Sequence, residues 1–343
     1  MIKPAPIEKG DMLAIIAPSS GSGSLFTHRV KNGIGALKAL GFRIKIFPTL
    51  SKFKDDDAGT PEERAADVND AFEDNDVKGI ICSIGGLAAN SILDLVDYKL
   101  IARHPKVFCG YSDITVLHHA FRKKSKLITF YGPALMTQFG ESPKPLPYTV
   151  NHFLKAVNSK NPVGDIKPSD KWTDEATLDW SKSLDLTRPR ILYKNTDGHI
   201  WLRSGKATAK ITGGCLSSLL RLKGTKFSPD YINKILFIET SEGENYAKGK
   251  PLRYVDAEIM DLRNSGAFES IKGLIVGRPF GYSPNERKKF IQIIKKHIEH
   301  YSFPVLANAN IGHADPIITI PLGVKVTLDS EKNLFSIDES GVK

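Results

Sequence analysis

A chain of 343 residues is longer than one average domain, and 41% hydrophobic with 25% charged residues is the composition of an ordinary folded protein, which excludes a disordered or low-complexity chain. No apolar run reaches the roughly 18 residues a membrane span needs, and the opening MIKPAPIEKGDMLAIIAPSSG lacks the layout of a secretory signal, so the expectation is a cytoplasmic protein. The net charge of +10 admits anionic partners, but the basic tracts at Arg122-Lys123-Lys124 and Arg287-Lys288-Lys289 fall on helical segments, where a solvated face is the expectation, and no zinc-finger or RNP-type motif speaks for nucleic acid.

In chain order, MLAIIA (12–17) reads as a buried strand, Phe26 to Leu40 as a helix ended by Gly41, and RIKIF (43–47) as the next strand. A helix begins at Thr60-Pro61, with Thr60 as cap. GIICSI (79–84) is a third strand, Asn90 to Val96 a helix, and KVFCG (106–110) a fourth strand. The alternation predicts an α/β fold: a Rossmann-like domain, with a parallel sheet and helices on both faces, over 1–160. Residues 161–190 are polar and carry Trp172 and Trp180; they read as a connecting and substrate loop. A smaller, β-rich domain follows over 191–343, with strands near 199–203 and 206–211, a Gly213-Gly214 turn, and a helix at 215–222. The strand ILFIE (235–239) comes next, then a helix at 251–264, the strand GLIVG (273–277), a helix at 286–300, and strands near 304–308, 317–320 and 324–328.

Sites in a parallel sheet lie beyond the carboxyl ends of its strands, where Ser19-Ser20-Gly21, Gly85-Gly86 and Gly110-Tyr111-Ser112 fall. The first lacks the lysine and the glycine spacing of a phosphate loop. Ser112, in CGYSDIT, admits two roles. It can cap the helix that follows, which spacing alone favours, or it can be a nucleophile raised on a tight strand-to-helix turn, with the N–H of Asp113 aimed at an oxyanion. The Gly85-Gly86 pair is equally a tight turn or a second oxyanion donor at Gly86. Of nine histidines, His313 stands out in ANANIGHADP, a glycine-containing loop after a strand, and Glu239 ends an apolar strand where a carboxylate needs a partner. Three cysteines, Cys82, Cys109 and Cys215, lack paired spacing and suit buried thiols. No metal-binding motif is present, and neither a metal nor another cofactor is expected.

Together, IIAPSS, SIGG (83–86), GYSDIT (110–115), ITGGCLSSLLRLKGT (211–225), ILFIET (235–240), GLIVGR (273–278) and IGHADP (311–316) resemble the LD-carboxypeptidase family of serine peptidases, which includes the microcin C immunity peptidases. The resemblance implies a catalytic Ser112, Glu239 and His313 and a homodimer, and with that serine as nucleophile the N–H groups of Gly86 and Asp113 are the expected oxyanion hole. It implies hydrolysis of a peptide or amide bond near the C-terminal end of a small peptide-like substrate, either a muropeptide L,D-bond or an aminoacyl nucleotide. SIGG and the long segment KPSDKWTDEATLDW are more similar to the immunity branch, in which a loop tryptophan stacks on a nucleobase. Trp180 is the better match for that ring and Trp172 the second, with Gly85 and Asn90 also candidates for the substrate site. Leu87-Ala88-Ala89-Asn90 and Gly243 depart from that branch. The rival reading is a non-catalytic binding protein for nucleic acid or an anionic polymer, with Ser112 structural.

Overall fold

The computed structural model describes residues 1–175 and 179–343. Its first sheet runs in the order Ile320–Pro321, Phe130–Tyr131, Val107–Gly110, Val77–Cys82, Met12–Ile16, Arg43–Ile46. The five strands from the N-terminal half are mutually parallel, and Ile320–Pro321 joins their edge antiparallel to Phe130–Tyr131. Helices connect the parallel strands as the crossover rule requires. One of them, Pro61–Glu73, starts on a capping box in which Thr60 and Glu63 satisfy each other's backbone N–H groups.

The second sheet holds eight strands, in the order Gly164–Asp165, Leu334–Ile337, Lys325–Asp329, Lys206–Cys215, Lys234–Glu239, Gly273–Gly277, Val305–Ala309, Ile200–Arg203. Its four central strands, from Lys206–Cys215 to Val305–Ala309, are parallel and joined by helices. The C-terminal half is therefore β-rich but built, like the N-terminal half, on βαβ crossovers.

Alternation along the strands explains how the halves unite. Leu13, Ile15, Ile81 and Cys109 share one buried cluster with Ile235, Phe237, Ile275 and Leu306, so both sheets contribute one face to a common core. The residues between them face the other way: Ala14, Ile16, Ile80 and Phe108 pack against N-terminal helices, while Leu236, Ile238 and Leu274 pack against C-terminal ones. This two-sided burial is why the strands read as unbroken apolar runs.

Three local expectations change. The segment expected as a helix from Asn90 to Val96 is only a short 3-10 turn, Ala89–Ile92, followed by a helix at Tyr98–Arg103 that Asp97 caps. Gly213 and Gly214 are not a turn but the end of the strand Lys206–Cys215. A Cβ at Gly213 would lie 2.0 Å from the Phe237 carbonyl, and one at Gly214 would lie 2.4 Å from Thr115. Both have positive φ, so the glycines let this strand end pass against Phe237 and Thr115. Finally, Arg122 does not sit on a solvated face; it reaches inward to Thr212 Oγ1 at 2.9 Å.

Candidate active site

The strand Val107–Gly110 ends on the first sheet, and Ser112 opens the 3-10 turn Ser112–Ile114 just beyond it. Its φ of +62° lies in the left-handed region, which costs a non-glycine residue ~1–3 kcal/mol and persists only where neighbours enforce it. They do. The Ser112 N–H donates to the Tyr131 hydroxyl at 3.2 Å, and Thr115 Oγ1 donates to the Ser112 carbonyl at 2.6 Å. The Ser112 hydroxyl makes no capping bond to the turn or to the helix Thr115–Ala120. It lies instead 3.0 Å from His313 Nε2.

Glu239 is the last residue of Lys234–Glu239, in the second sheet, and its side chain is fully buried. Oε2 lies 2.7 Å from His313 Nδ1, and Oε1 accepts a 2.6 Å bond from the Tyr131 hydroxyl. Gly312, with φ +99°, brings the His313 loop onto this carboxylate so closely that a Cβ there would sit 2.4 Å from Glu239 Oε2. Burial disfavours a charged imidazole, but the carboxylates of Glu239 and Glu242, aided by Asp315, outweigh it and raise His313 to about 9. The His313 ring also rests against Tyr111, with centroids 5.0 Å apart.

The glycine pair faces the serine. A Cβ on Gly85 would lie 2.8 Å from Ser112 Cβ and 3.3 Å from the Asp113 nitrogen, while one on Gly86, at φ +145°, would strike Ser19 Oγ at 2.5 Å. Among the described residues, neither the Gly86 nor the Asp113 N–H donates to a protein acceptor. The Asp113 side chain has a further part that the sequence reading missed. Its buried carboxylate accepts from Ser19 Oγ at 2.7 Å and from the Ala89 N–H at 2.8 Å, and pairs with Arg221 at 2.7 Å. Burial raises its pKa, opposed by these hydrogen bonds and by Arg221. The Ser19 loop, the turn after the glycine pair and the helix Leu216–Arg221 are thereby tied to the residue that follows Ser112. Asn90 follows Ala89 in that turn and is exposed.

Tyr131, His118 and His119 were not singled out either. Both histidines are buried and bond carbonyls, His118 that of Gly110 at 2.9 Å and His119 that of Gly213 at 3.0 Å. Burial drives them down to about 4 and about 3, so they are neutral braces at the serine turn and the glycine strand end. A pair of histidines six and seven residues after the serine, on the helix that follows it, was the available sequence signal; nothing local marked Tyr131.

Part of the predicted substrate loop, 176–178, lies outside the described residues. Trp180 is half-buried, edge-on to Phe26 with centroids 5.6 Å apart, and the Arg29 guanidinium lies 4.4 Å from its ring centre. Trp172 is buried, with Arg278 and Arg287 within 5.0 Å of its ring centre. The loop is clamped at its far end. Arg29 pairs with Asp185 at 3.0 Å, and Arg190 pairs with Glu141 at 2.8 Å and with Asp315, two residues beyond His313, at 2.6 Å. Among the described residues no cluster of three or more His, Cys, Asp and Glu side chains could hold a metal ion, and no helix is long and apolar enough to cross a membrane.

Comparison with known proteins places this geometry. Residues 13–132 match the LD-carboxypeptidase N-terminal domain and residues 208–328 the LD-carboxypeptidase C-terminal domain. The chain is 31% identical to the microcin C7 self-immunity protein MccF of Escherichia coli, over 98% of this chain and 95% of that one. It is 33% identical to the putative carboxypeptidase YocD of Bacillus subtilis, over 92% and 93%. The solved structure of MccF in complex with aspartyl sulfamoyl adenosine superposes with a TM-score of 0.91 at 30% identity, over 100% of both chains. The chain belongs to the LD-carboxypeptidase family of serine peptidases.

Proposed function

We propose that Ser112, His313 and Glu239 form a catalytic triad that hydrolyses an amide bond near the C-terminal end of a small peptide-like substrate. The observation that carries this reading is the unbroken hydrogen-bonded line from Ser112 Oγ through both ring nitrogens of His313 to Glu239. His313 takes the serine proton as Ser112 attacks the carbonyl carbon, Glu239 fixes the ring and stabilises the imidazolium, and the same proton passes to the leaving nitrogen. Water then repeats the cycle on the acyl-enzyme. The N–H groups of Gly86 and Asp113 receive the oxyanion, each worth about 3–4 kcal/mol in related chemistry.

Aminoacyl nucleotides are the substrate class that the neighbouring structures favour, since MccF has been solved with aspartyl sulfamoyl adenosine. Trp180 is the ring for the base in this reading. Its ring is half-buried, held edge-on to Phe26 and beside Arg29, whereas Trp172 is buried under two arginines. A muropeptide cut between an L- and a D-residue is the second reading, favoured by the likeness to a probable murein peptide carboxypeptidase of Bacillus subtilis at 30% identity. We further propose the division into 1–160, 161–190 and 191–343. A cytoplasmic location fits three buried, unpaired cysteines, and a homodimer fits the exposed Leu184, Leu186, Ile191, Leu192 and Tyr193.

The test is hydrolysis by purified protein of an acyl-sulfamoyl adenosine and of a muropeptide tetrapeptide. Ser112→Ala should abolish turnover and fluorophosphonate labelling while leaving the circular dichroism unchanged; undiminished turnover in that variant refutes the triad. Release of terminal D-alanine with no action on the nucleotide selects the muropeptide. Selective loss of the nucleotide reaction in Trp180→Ala selects the other.

A further inference from the structure

We infer that Glu242 is a specificity-determining residue that selects substrates whose acyl fragment carries a free ammonium group next to the scissile carbonyl; this rests on the hydrolase reading above. Three observations converge. First, Glu242 Oε2 lies 3.4 Å from His313 Nε2, the same nitrogen that faces Ser112 Oγ at 3.0 Å, so this carboxylate stands beside the nucleophile rather than behind the histidine as Glu239 does. Second, its side chain is 30% exposed where that of Glu239 is fully buried, so solvent, and hence a ligand, can reach it. Third, among the described residues no lysine or arginine pairs with it. The cations of the neighbourhood are held elsewhere: Lys250 by Glu258 and Ser217, and Arg221 by Asp113. A partly desolvated carboxylate whose charged partner is a titrating histidine is poised to accept a cation from a ligand.

The chemistry of the two halves of the substrate decides which one supplies that cation. The leaving fragment in a carboxypeptidase reaction ends in a carboxylate, and in an aminoacyl nucleotide it carries an anionic linkage; either would be repelled by Glu242. An α-ammonium on the acyl fragment is two bonds from the carbonyl that Ser112 attacks, which matches a carboxylate and a nucleophile gathered around one imidazole nitrogen. When the ammonium pairs with Glu242, the carboxylate no longer competes for His313 Nε2, and that nitrogen is left to Ser112 Oγ alone. Recognition and release of the base are then one event. An N-acylated substrate gains neither.

The experiment measures protection of Ser112 from a fluorophosphonate probe by alanyl sulfamoyl adenosine and by its N-acetyl derivative, in the full-length protein at pH 7. The free amine should protect at concentrations at least tenfold lower than the acetylated compound. In Glu242→Gln that advantage should vanish, with protection by the acetylated compound unchanged. The labelling rate of Glu242→Gln without ligand should also rise at lower pH than in the parent, because a carboxylate that holds His313 protonated has gone; a merely structural glutamate would not move that profile. Equal protection by the two compounds, none by either, or a preference that survives in Glu242→Gln overturns the assignment to Glu242 while labelling still supports the hydrolase. No labelling of the parent protein removes the hydrolase reading itself.

Discussion

The Tyr131 hydroxyl donates to Glu239 at 2.6 Å while accepting the N–H of Ser112 at 3.2 Å, so one buried phenol joins Ser112 of the N-terminal half to Glu239 of the C-terminal half. Tyr131 pairs in register with Gly110 on one side and Ile320 on the other, which fixes the ring at the seam between the halves. Tyr131→Phe removes a hydrogen bond to a buried carboxylate and leaves the strained serine turn without an acceptor. A bond to a charged group is worth ~1.5–3 kcal/mol, so kcat/KM should fall roughly 10- to 100-fold. Steady-state kinetics beside a urea melt checks this; a variant that loses stability but keeps full activity would confine Tyr131 to packing.

The acid–base behaviour follows from His313. Its pKa in the folded protein is raised to about 9 because the Glu239 and Glu242 carboxylates outweigh burial, against an ordinary value of 6.5. A group raised on folding contributes stability that is fully present below its unfolded pKa and is lost as pH rises through the folded one. Conformational stability should therefore decline between about pH 6.5 and 9 from this residue, while hydrolysis, which in the proposed triad needs the neutral imidazole, should climb over the same window. Glu239→Gln should shift the rising limb of the rate profile to lower pH, since burial then acts with less opposition, and should lower its plateau. A limb that stays in place would show that another group titrates.

Gly85 gives a test of the space around Ser112. Its backbone has ordinary φ, but an added methyl would lie 2.8 Å from Ser112 Cβ and 3.0 Å from Oγ. Gly85→Ala should push the serine off line and cut kcat by about 100-fold or more, the scale of losing one oxyanion donor. Gly35, within Thr27–Ala39, has nothing within 4 Å of the corresponding position. Gly35→Ala should leave activity intact and add up to about 1 kcal/mol of stability through helix propensity. Chemical denaturation and turnover of the pair separate a local clash from a general intolerance of change.

Much of this was legible because the relevant signals are local. Apolar runs such as MLAIIA, GIICSI and ILFIE announced strands buried on both faces, and Thr60-Pro61 announced a helix start, because period and capping are written in neighbouring residues. What stayed hidden depends on residues far apart in the chain. Nothing near Tyr131 shows that its hydroxyl will meet Glu239, 108 positions on, and nothing near Asp113 shows that its side chain will gather Ser19, Ala89 and Arg221. Gly213-Gly214 read as a turn because the pair is a common turn signal. The real constraint was the bulk of Phe237 and Thr115 against a strand end, which only packing reveals. Glu242 was equally invisible: its place beside His313 depends on a loop from another part of the sheet.

The clamp at Arg190 shows how the segment before the second sheet bears on the site. Arg190 lies between Glu141 at 2.8 Å and Asp315 at 2.6 Å, and those two carboxylates hold its pKa above the ordinary value despite burial. Asp315 also accepts from Gln138 Nε2 at 3.1 Å, and its backbone exchanges bonds with Thr173, so the loop that carries His313 is fastened to two separate stretches of chain. Replacing Arg190 with methionine leaves two buried acids facing each other. Arg29, 3.8 Å from Glu141 and itself engaged by Asp185, compensates only in part. Breaking one side of a buried ionic group costs about 3–5 kcal/mol, so Arg190→Met should lower the urea midpoint substantially at pH 7. At pH 4 the deficit should shrink, because Glu141, already raised by burial, takes up a proton more readily once its cation is gone. A deficit of the same size at both pH values would mean that Arg190 acts through packing of its stem and not through charge.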